Sequence, residues 1–174
     1  MALLLGVLSF LLPAEAVAPA PPVRTCEQRI EAGGGPIPFP AARSGSVFAG
    51  PLAFAGSFPR TPAALGPRGA DGRYWVKVGA LLRAGRPVVL SVPSRYRGVF
   101  VTHYDRDDDD GEATVRIEPC PPSTPAFSYD GRVGPVTAFS GGFGVSRAGC
   151  YPLDVRVVGG RSHRVRLALG RPCR

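Results

Sequence analysis

Lysine and long apolar runs are the two most evident shortages of this 174-residue chain. Lys77 is the single lysine among 21 basic residues, and alanine, glycine and proline are abundant. Such a bias is typical of a GC-rich genome, so the net charge of +8 does not by itself indicate an anionic ligand. The longest apolar run, from Ala2 to Leu12, is about half of the ~20 residues needed to cross a bilayer.

The chain also lacks the spacings that catalysis and metal binding require. It has no Cys-x-x-Cys pair, and its histidines, His103 and His163, lie on separate predicted strands away from any cysteine pair, which argues against structural zinc. The run Gly144–Ala148 (GVSRA) misses the last glycine of a nucleophile elbow. His103 is on an alternating strand, where a packed or edge histidine is the simpler interpretation than a general base. We therefore assign no catalytic residue and no cofactor.

The N-terminal residues have the pattern of an export signal. The run from Ala2 to Leu12 ends at Pro13, and small residues follow at the positions that a signal peptidase reads, with cleavage expected after Ala16 or Ala18. The positively charged segment that should precede the run is missing, since no basic residue comes before Arg24.

These features predict a signal peptide at residues 1–16, a Pro/Ala-rich tether at 17–25 and a single β-rich domain at 26–174. The protein is then secreted or held in the cell envelope. Contact with a membrane is expected only through the N-terminal segment, if that segment is not cleaved.

Between Gly33 and Gly72 the Gly and Pro content allows only short strands, and beyond Gly72 period-two alternation broken by turn residues predicts further ones. These are Ser46–Ala49, Leu52–Ala55, Tyr74–Val78, Val88–Val92, Val99–Tyr104, Ala113–Glu118, Val136–Phe139, Phe143–Ser146, Tyr151–Val158 and His163–Leu169. No segment shows helical spacing for three turns. Four phenylalanines between residues 33 and 72 predict that this Gly/Pro-rich stretch is ordered and packs onto the domain. The fold class is all-β, an antiparallel sandwich resembling an immunoglobulin domain or a jelly roll, stabilised by disulfides.

The last two strands form a hairpin whose register can be predicted. Opposite residues of an antiparallel pair point to the same face, so the loop must hold an odd number of residues if both apolar rows are to face the core. A loop of Gly159, Gly160 and Arg161 sets Val155 opposite Val165, Leu153 opposite Leu167 and Asp154 opposite Arg166 on the wet face.

Four cysteines in an exported chain predict two disulfides, with three pairings possible. We favour Cys26 with Cys173, since domain termini commonly lie close together, and Cys120 with Cys150.

An acidic run at residues 105–112 (DRDDDDGE) is a candidate calcium site through Asp105, Asp107 and Asp109. Its spacing does not match a helical calcium loop, because the sixth position is Asp110 and the twelfth is Arg116. A solvated hairpin tip whose charges deter edge pairing is the competing interpretation.

The basic residues are scattered arginines, and a positive surface would have to be assembled by folding. Arg156, Arg164 and Arg166 fall on the wet face of the last hairpin and could contribute to one.

The segments Arg116–Pro121 (RIEPCP), Ser140–Phe143 (SGGF), Gly149–Cys150 and Pro172–Cys173 resemble those of uncharacterised exported proteins of high-GC Gram-positive bacteria. The resemblance covers roughly residues 70 to 173. It implies export, a β-rich domain and disulfides, and it carries no activity.

We therefore expect an exported, non-enzymatic binding or structural module of the cell envelope. One alternative is a small extracytoplasmic hydrolase whose site is assembled from distant residues. Another is an arginine-mediated binder of an anionic cell-surface polymer, with no specific nucleic acid expected.

Overall fold

Strands supply almost all regular structure. The computed structural model describes residues 20–41, 45–104 and 110–174. Its strands are β1 (Val23–Arg24), β2 (Val47–Ala49), β3 (Leu52–Ala55), β4 (Tyr74–Lys77), β5 (Gly79–Arg83), β6 (Val88–Ser91), β7 (Phe100–His103), β8 (Thr114–Ile117), β9 (Val136–Phe139), β10 (Gly142–Val145), β11 (Gly149–Val157) and β12 (Ser162–Leu169). In these ranges helical backbone is confined to short 3₁₀ turns. The predicted all-β, disulfide-stabilised sandwich is confirmed.

Three sheets surround one apolar core. The five-stranded sheet has the order β1-β8-β6-β11-β12, the four-stranded sheet β2-β3-β5-β9, and the three-stranded sheet β4-β10-β7. All strand pairs are antiparallel except β1 with β8. Each sheet contributes its inward-facing side chains to this core. Examples are Leu90 and Val155 of the five-stranded sheet, Phe54 and Phe139 of the four-stranded sheet, and Phe100 and Val145 of the three-stranded sheet.

All ten predicted strands are present, with ends that differ by at most two residues. The strand β5 (Gly79–Arg83) was not predicted, because its apolar run shows no alternation. Leu81 points away from the main core but is 8% exposed, since Ile37 and Phe39 pack on the outer side of the four-stranded sheet. A strand buried on both faces loses the period-two signal. The Gly/Pro-rich stretch thus packs onto the domain, as predicted.

The predicted tether ends too late. Val23 and Arg24 form β1, paired with Arg116 and Ile117 of β8, and the Arg24 side chain is only 2% exposed. The hydrogen bond from Arg116 N to Pro22 O extends the pairing further. Part of the predicted tether, Pro22 to Arg24, therefore pairs with the sheet, and the prolines in this segment do not prevent the pairing. The predicted signal peptide lies outside the described residues.

The hairpin register is offset by two residues from the prediction. Val155 lies opposite His163, Leu153 opposite Val165 and Asp154 opposite Arg164. The loop has three residues as expected, but it begins one residue earlier, at Val158. Gly160 N bonds Val157 O, and Gly159 adopts φ 68°, which is the glycine position of a type II turn. The parity, and so the apolar face, is as predicted.

The predicted disulfide pairing is wrong. Cys26 is bonded to Cys120 and Cys150 to Cys173, with Cα separations of 4.8 and 5.2 Å. The pairing of β1 with β8 carries Cys26 past Ile117 to Cys120, and the β11–β12 hairpin brings Cys173 back to Cys150. Strand pairing, and not proximity of the chain ends, decides the partners. Two bridges fit an oxidising compartment.

Candidate functional site

The candidate residues for a metal site and for a hydrolase site are close in sequence: the acidic run that begins at Asp105, and His103. Asp105, Asp107 and Asp109 lie outside the described residues, so the structure gives no geometry for the calcium candidate. Within the described ranges, no group of three or more His, Cys, Asp or Glu side chains is positioned to hold a metal ion.

His103 lies on the outer face of the three-stranded sheet. The central strand carries Gly142 and Gly144 on that face, and the rings of Trp75 and His103 meet over it with centroids 4.9 Å apart. The Trp75 indole N–H donates to Asp71 at 3.3 Å. Within the described part of the chain, His103 makes no hydrogen bond to a carboxylate or hydroxyl group. The described residues therefore assemble no nucleophile–base pair around this histidine.

A row of arginines occupies the outer face of the five-stranded sheet. Arg116 of β8 and Arg156 of β11 both lie opposite Val89 of the intervening strand β6. Two strand spacings separate them, about 10 Å. Arg164 and Arg166 follow on β12 with the same outward alternation. We call these four residues the arginine face.

Alternation explains why all four side chains point outward. Their inward neighbours, including Ile117, Val155, Val165 and Leu167, are buried in the core. Val89 points outward with the arginines but is only 6% exposed. Flanking arginine stems cover an apolar side chain in this way while their charged ends reach water. The arginine face is thus built on a rigid, hydrogen-bonded surface.

Two carboxylates neutralise part of the arginine face. Arg164 donates two hydrogen bonds to Asp154, at 2.6 and 3.0 Å, and Arg116 bonds Glu118 at 2.8 Å. The hydrogen bond and the charge of Asp154 raise the pKa of Arg164. Arg166 donates to the carbonyl oxygen of Arg174. Arg156 is exposed and makes no ion pair within the described ranges.

A shallow cleft of about 520 Å³ crosses the arginine face. Its polar and charged lining residues are Ser91, Asp154, Arg156, Ser162, His163 and Arg164. Guanidinium groups bind carboxylate, sulfate and phosphate oxygens in paired hydrogen bonds, and serine hydroxyls can donate to the same anions. The surface is suited to holding anionic groups. His163 lines the same cleft, and among the described residues no hydrogen bond joins it to Asp154 or to either serine.

The sequence indicated three of the four arginines. Arg156, Arg164 and Arg166 come together as the wet face of the hairpin, whereas Arg116 was not predicted to join them. The alternation of Thr114, Arg116 and Glu118 does show that Arg116 points outward. What the sequence could not show is that β8 lies two strands from β11.

No family model, curated protein or solved structure matches this chain. Among the described residues, no helix is long and apolar enough to span a bilayer.

Proposed function

We propose that this chain is an exported, non-enzymatic binding module whose ligand is an anionic polymer of the cell envelope. The observation that carries the proposal is the gathering of four guanidinium groups, opposed by two carboxylates, on one solvent-exposed sheet face. The predicted signal peptide and the two disulfides support a site of action outside the cytoplasm.

The shape of the arginine face favours a polymer over a small anion. The face extends across three strand spacings, from β8 to β12, and along four residues of β11. At about 4.8 Å per strand spacing and about 3.4 Å per residue, its diagonal is roughly 20 Å. A single phosphate or sulfate can reach only one or two of these groups. A chain with repeated anionic groups reaches them all, and each anionic group that binds an arginine releases counterions.

Retention on heparin resin tests the proposal. The double variant R156Q/R166Q removes two charges from the arginine face, while R60Q/R97Q removes two from exposed arginines elsewhere and leaves the same net charge. We expect the first variant to elute at clearly lower salt than the second. The logarithm of its affinity should also fall less steeply with the logarithm of the salt concentration, by about one unit of slope for each arginine removed from the binding surface.

Equal elution of the two double variants would contradict the arginine face as the binding surface, because net charge alone would then explain retention.

A separate measurement addresses export. Mass spectrometry of the protein recovered from its producing cells should give a mature start after Ala16 or Ala18, and material that begins at Met1 in the cytoplasm would contradict it.

A further inference from the structure

A second cleft opens on the outer side of the four-stranded sheet, away from the arginine face. Its volume is about 500 Å³, within the range of small-molecule sites. It lies beside the second apolar cluster, in which Leu81, Val136 and Ala138 are covered by Ile37 and Phe39. The lining includes Ile37, Phe39, Arg83, Ala84 and Val136.

Among the described lining residues, one is charged. Arg83 is exposed at the end of β5, and its guanidinium carbon lies 4.2 Å from the centre of the Phe39 ring. It makes no ion pair with the residues that the structure describes. The cleft thus presents an apolar floor with one uncompensated positive charge at its rim.

The walls of this cleft are held in place before any ligand arrives. Pro36, Pro38 and Pro135 restrict the backbone, and Ala84 N donates to Pro135 O at 2.8 Å, which extends the pairing of β5 with β9 on the sheet side of the cleft. A smaller void of about 10 Å³ lies on the far side of Ile37 and Val136, so the floor is not completely filled. A preformed apolar cleft lowers the ordering cost of binding.

We propose that this cleft binds a single alkyl chain that ends in a carboxylate, with the chain on the apolar floor and the carboxylate against Arg83. Charge complementarity selects the anionic head, since no carboxylate among the described residues pairs with Arg83. The apolar lining selects an alkyl chain, because hydroxyl-rich ligands need polar partners that these side chains do not offer. The arginine face, with its two carboxylates and serines, has the opposite character.

The test is titration with octanoate, nonanoate and decanoate below their micelle concentrations, followed by methyl NMR and calorimetry. We expect shifts at the methyl groups of Ile37, Ala84 and Val136. Affinity should rise about fourfold per added methylene. Neutral 1-octanol should bind about tenfold more weakly than octanoate, because it lacks the charge that Arg83 attracts.

Variants distinguish the contribution of the ligand's carboxylate to binding from that of its alkyl chain. R83Q should lower decanoate affinity about tenfold and leave 1-octanol binding unchanged, whereas R97Q, an exposed arginine elsewhere, should change neither. Ala84→Leu should fill the cleft and weaken both ligands, with thermal unfolding used to show that the variant is folded. Absent shifts at the three methyl groups, affinity independent of chain length, or equal effects of R83Q and R97Q would overturn the proposal. The result does not depend on heparin retention.

Discussion

The hydroxyl group of Tyr104 donates a hydrogen bond of 2.8 Å to the carbonyl oxygen of Val78. Val78 is the one residue between β4 and β5, so this bond fixes the point at which the chain leaves the three-stranded sheet for the four-stranded sheet. Burial raises the pKa of Tyr104 well above its ordinary value, which keeps the hydroxyl protonated as a donor.

Removing this hydroxyl should destabilise the domain. Tyr104→Phe leaves the carbonyl of Val78 without that donor in the core, and we expect the free energy of unfolding, measured by urea denaturation, to fall by about 1–3 kcal/mol. Tyr129→Phe is the matched control, because its hydroxyl bonds Arg132 O on an exposed hairpin. Equal decreases in the two variants would contradict a special role for the buried bond.

The strands were predictable because their alternation is local. The face of each strand in the last hairpin followed from the same rule, and parity alone placed Val155 and Val165 in the core. Two kinds of information were missing. Glycine geometry at Gly159 decided the loop start, and the non-local pairing of β1 with β8 decided the disulfide partners.

Local alternation made only part of the arginine face predictable. Arg164 and Arg166 alternate on one strand and Arg156 lies on its hairpin neighbour, so local rules join them. Arg116 joins through the strand order, which no periodicity reveals. The apolar cleft beside Phe39 was not predictable, because a loop without regular structure forms one of its walls.

The two disulfides should differ in their contribution to stability. Loop-closure entropy gives about 4.7 kcal/mol for Cys26–Cys120, with a separation of 94 residues, and about 3.4 kcal/mol for Cys150–Cys173, with a separation of 23. The variant C26A/C120A should therefore unfold at lower denaturant than C150A/C173A. The reverse order would show that loop-closure entropy does not determine the difference in stability between the two variants. Non-reducing peptide mapping checks the pairing itself.

The hairpin at residues 125–132 should loosen in acid. Burial raises the pKa of Glu31, but hydrogen bonds from Arg29, Ser128 and Phe127 more than offset this, and the pKa lies below its ordinary value of 4.5. A carboxyl group with a lowered pKa in the folded state stabilises above pH 4.5, and this contribution disappears as the pH falls through the lowered pKa.

Hydrogen exchange of the Phe127 and Ser128 amides measures this effect. Their protection factors should fall in acid in the parent protein. Glu31→Gln should lower them near neutral pH towards the acid level of the parent and remove the pH dependence. Asp130→Asn, on the same hairpin, is the control and should keep it. A Glu31→Gln protein with the parental pH profile would contradict the assignment.

Removing the carboxylate of Asp154 should strengthen binding to the polymer. Asp154 holds Arg164 in a two-hydrogen-bond pair, and it also repels an incoming anion. Asp154→Asn should therefore elute from heparin at higher salt than Asp130→Asn, which has the same net charge. Elution of both at the same salt would show that Arg164 takes no part in binding.

Glycine at position 144 is required by the ring of Trp75. A Cβ atom there would lie 2.5 Å from a ring carbon of the indole, so Gly144→Ala must displace Trp75 or the strand. We expect a red-shifted fluorescence emission, since Trp75 is the single tryptophan, and a decrease of about 1–3 kcal/mol in the free energy of unfolding. Gly98→Ala, with open space around it, should change neither.

The disulfide connectivity also determines how the protein responds to a pulling force. Tension applied at the two termini passes from Cys26 directly to Cys120, along the backbone to Cys150, and then directly to Cys173. Of the named strands, β2 through β8 lie within the first bypassed loop, and β11 and β12 lie mostly within the second. The strands β1, β9 and β10 therefore lie on the mechanical path. Extension of the segment between Cys120 and Cys150 can contribute roughly 100 Å of length at most, at about 3.4 Å per residue. The strands inside the two bypassed loops are thereby shielded from the applied tension.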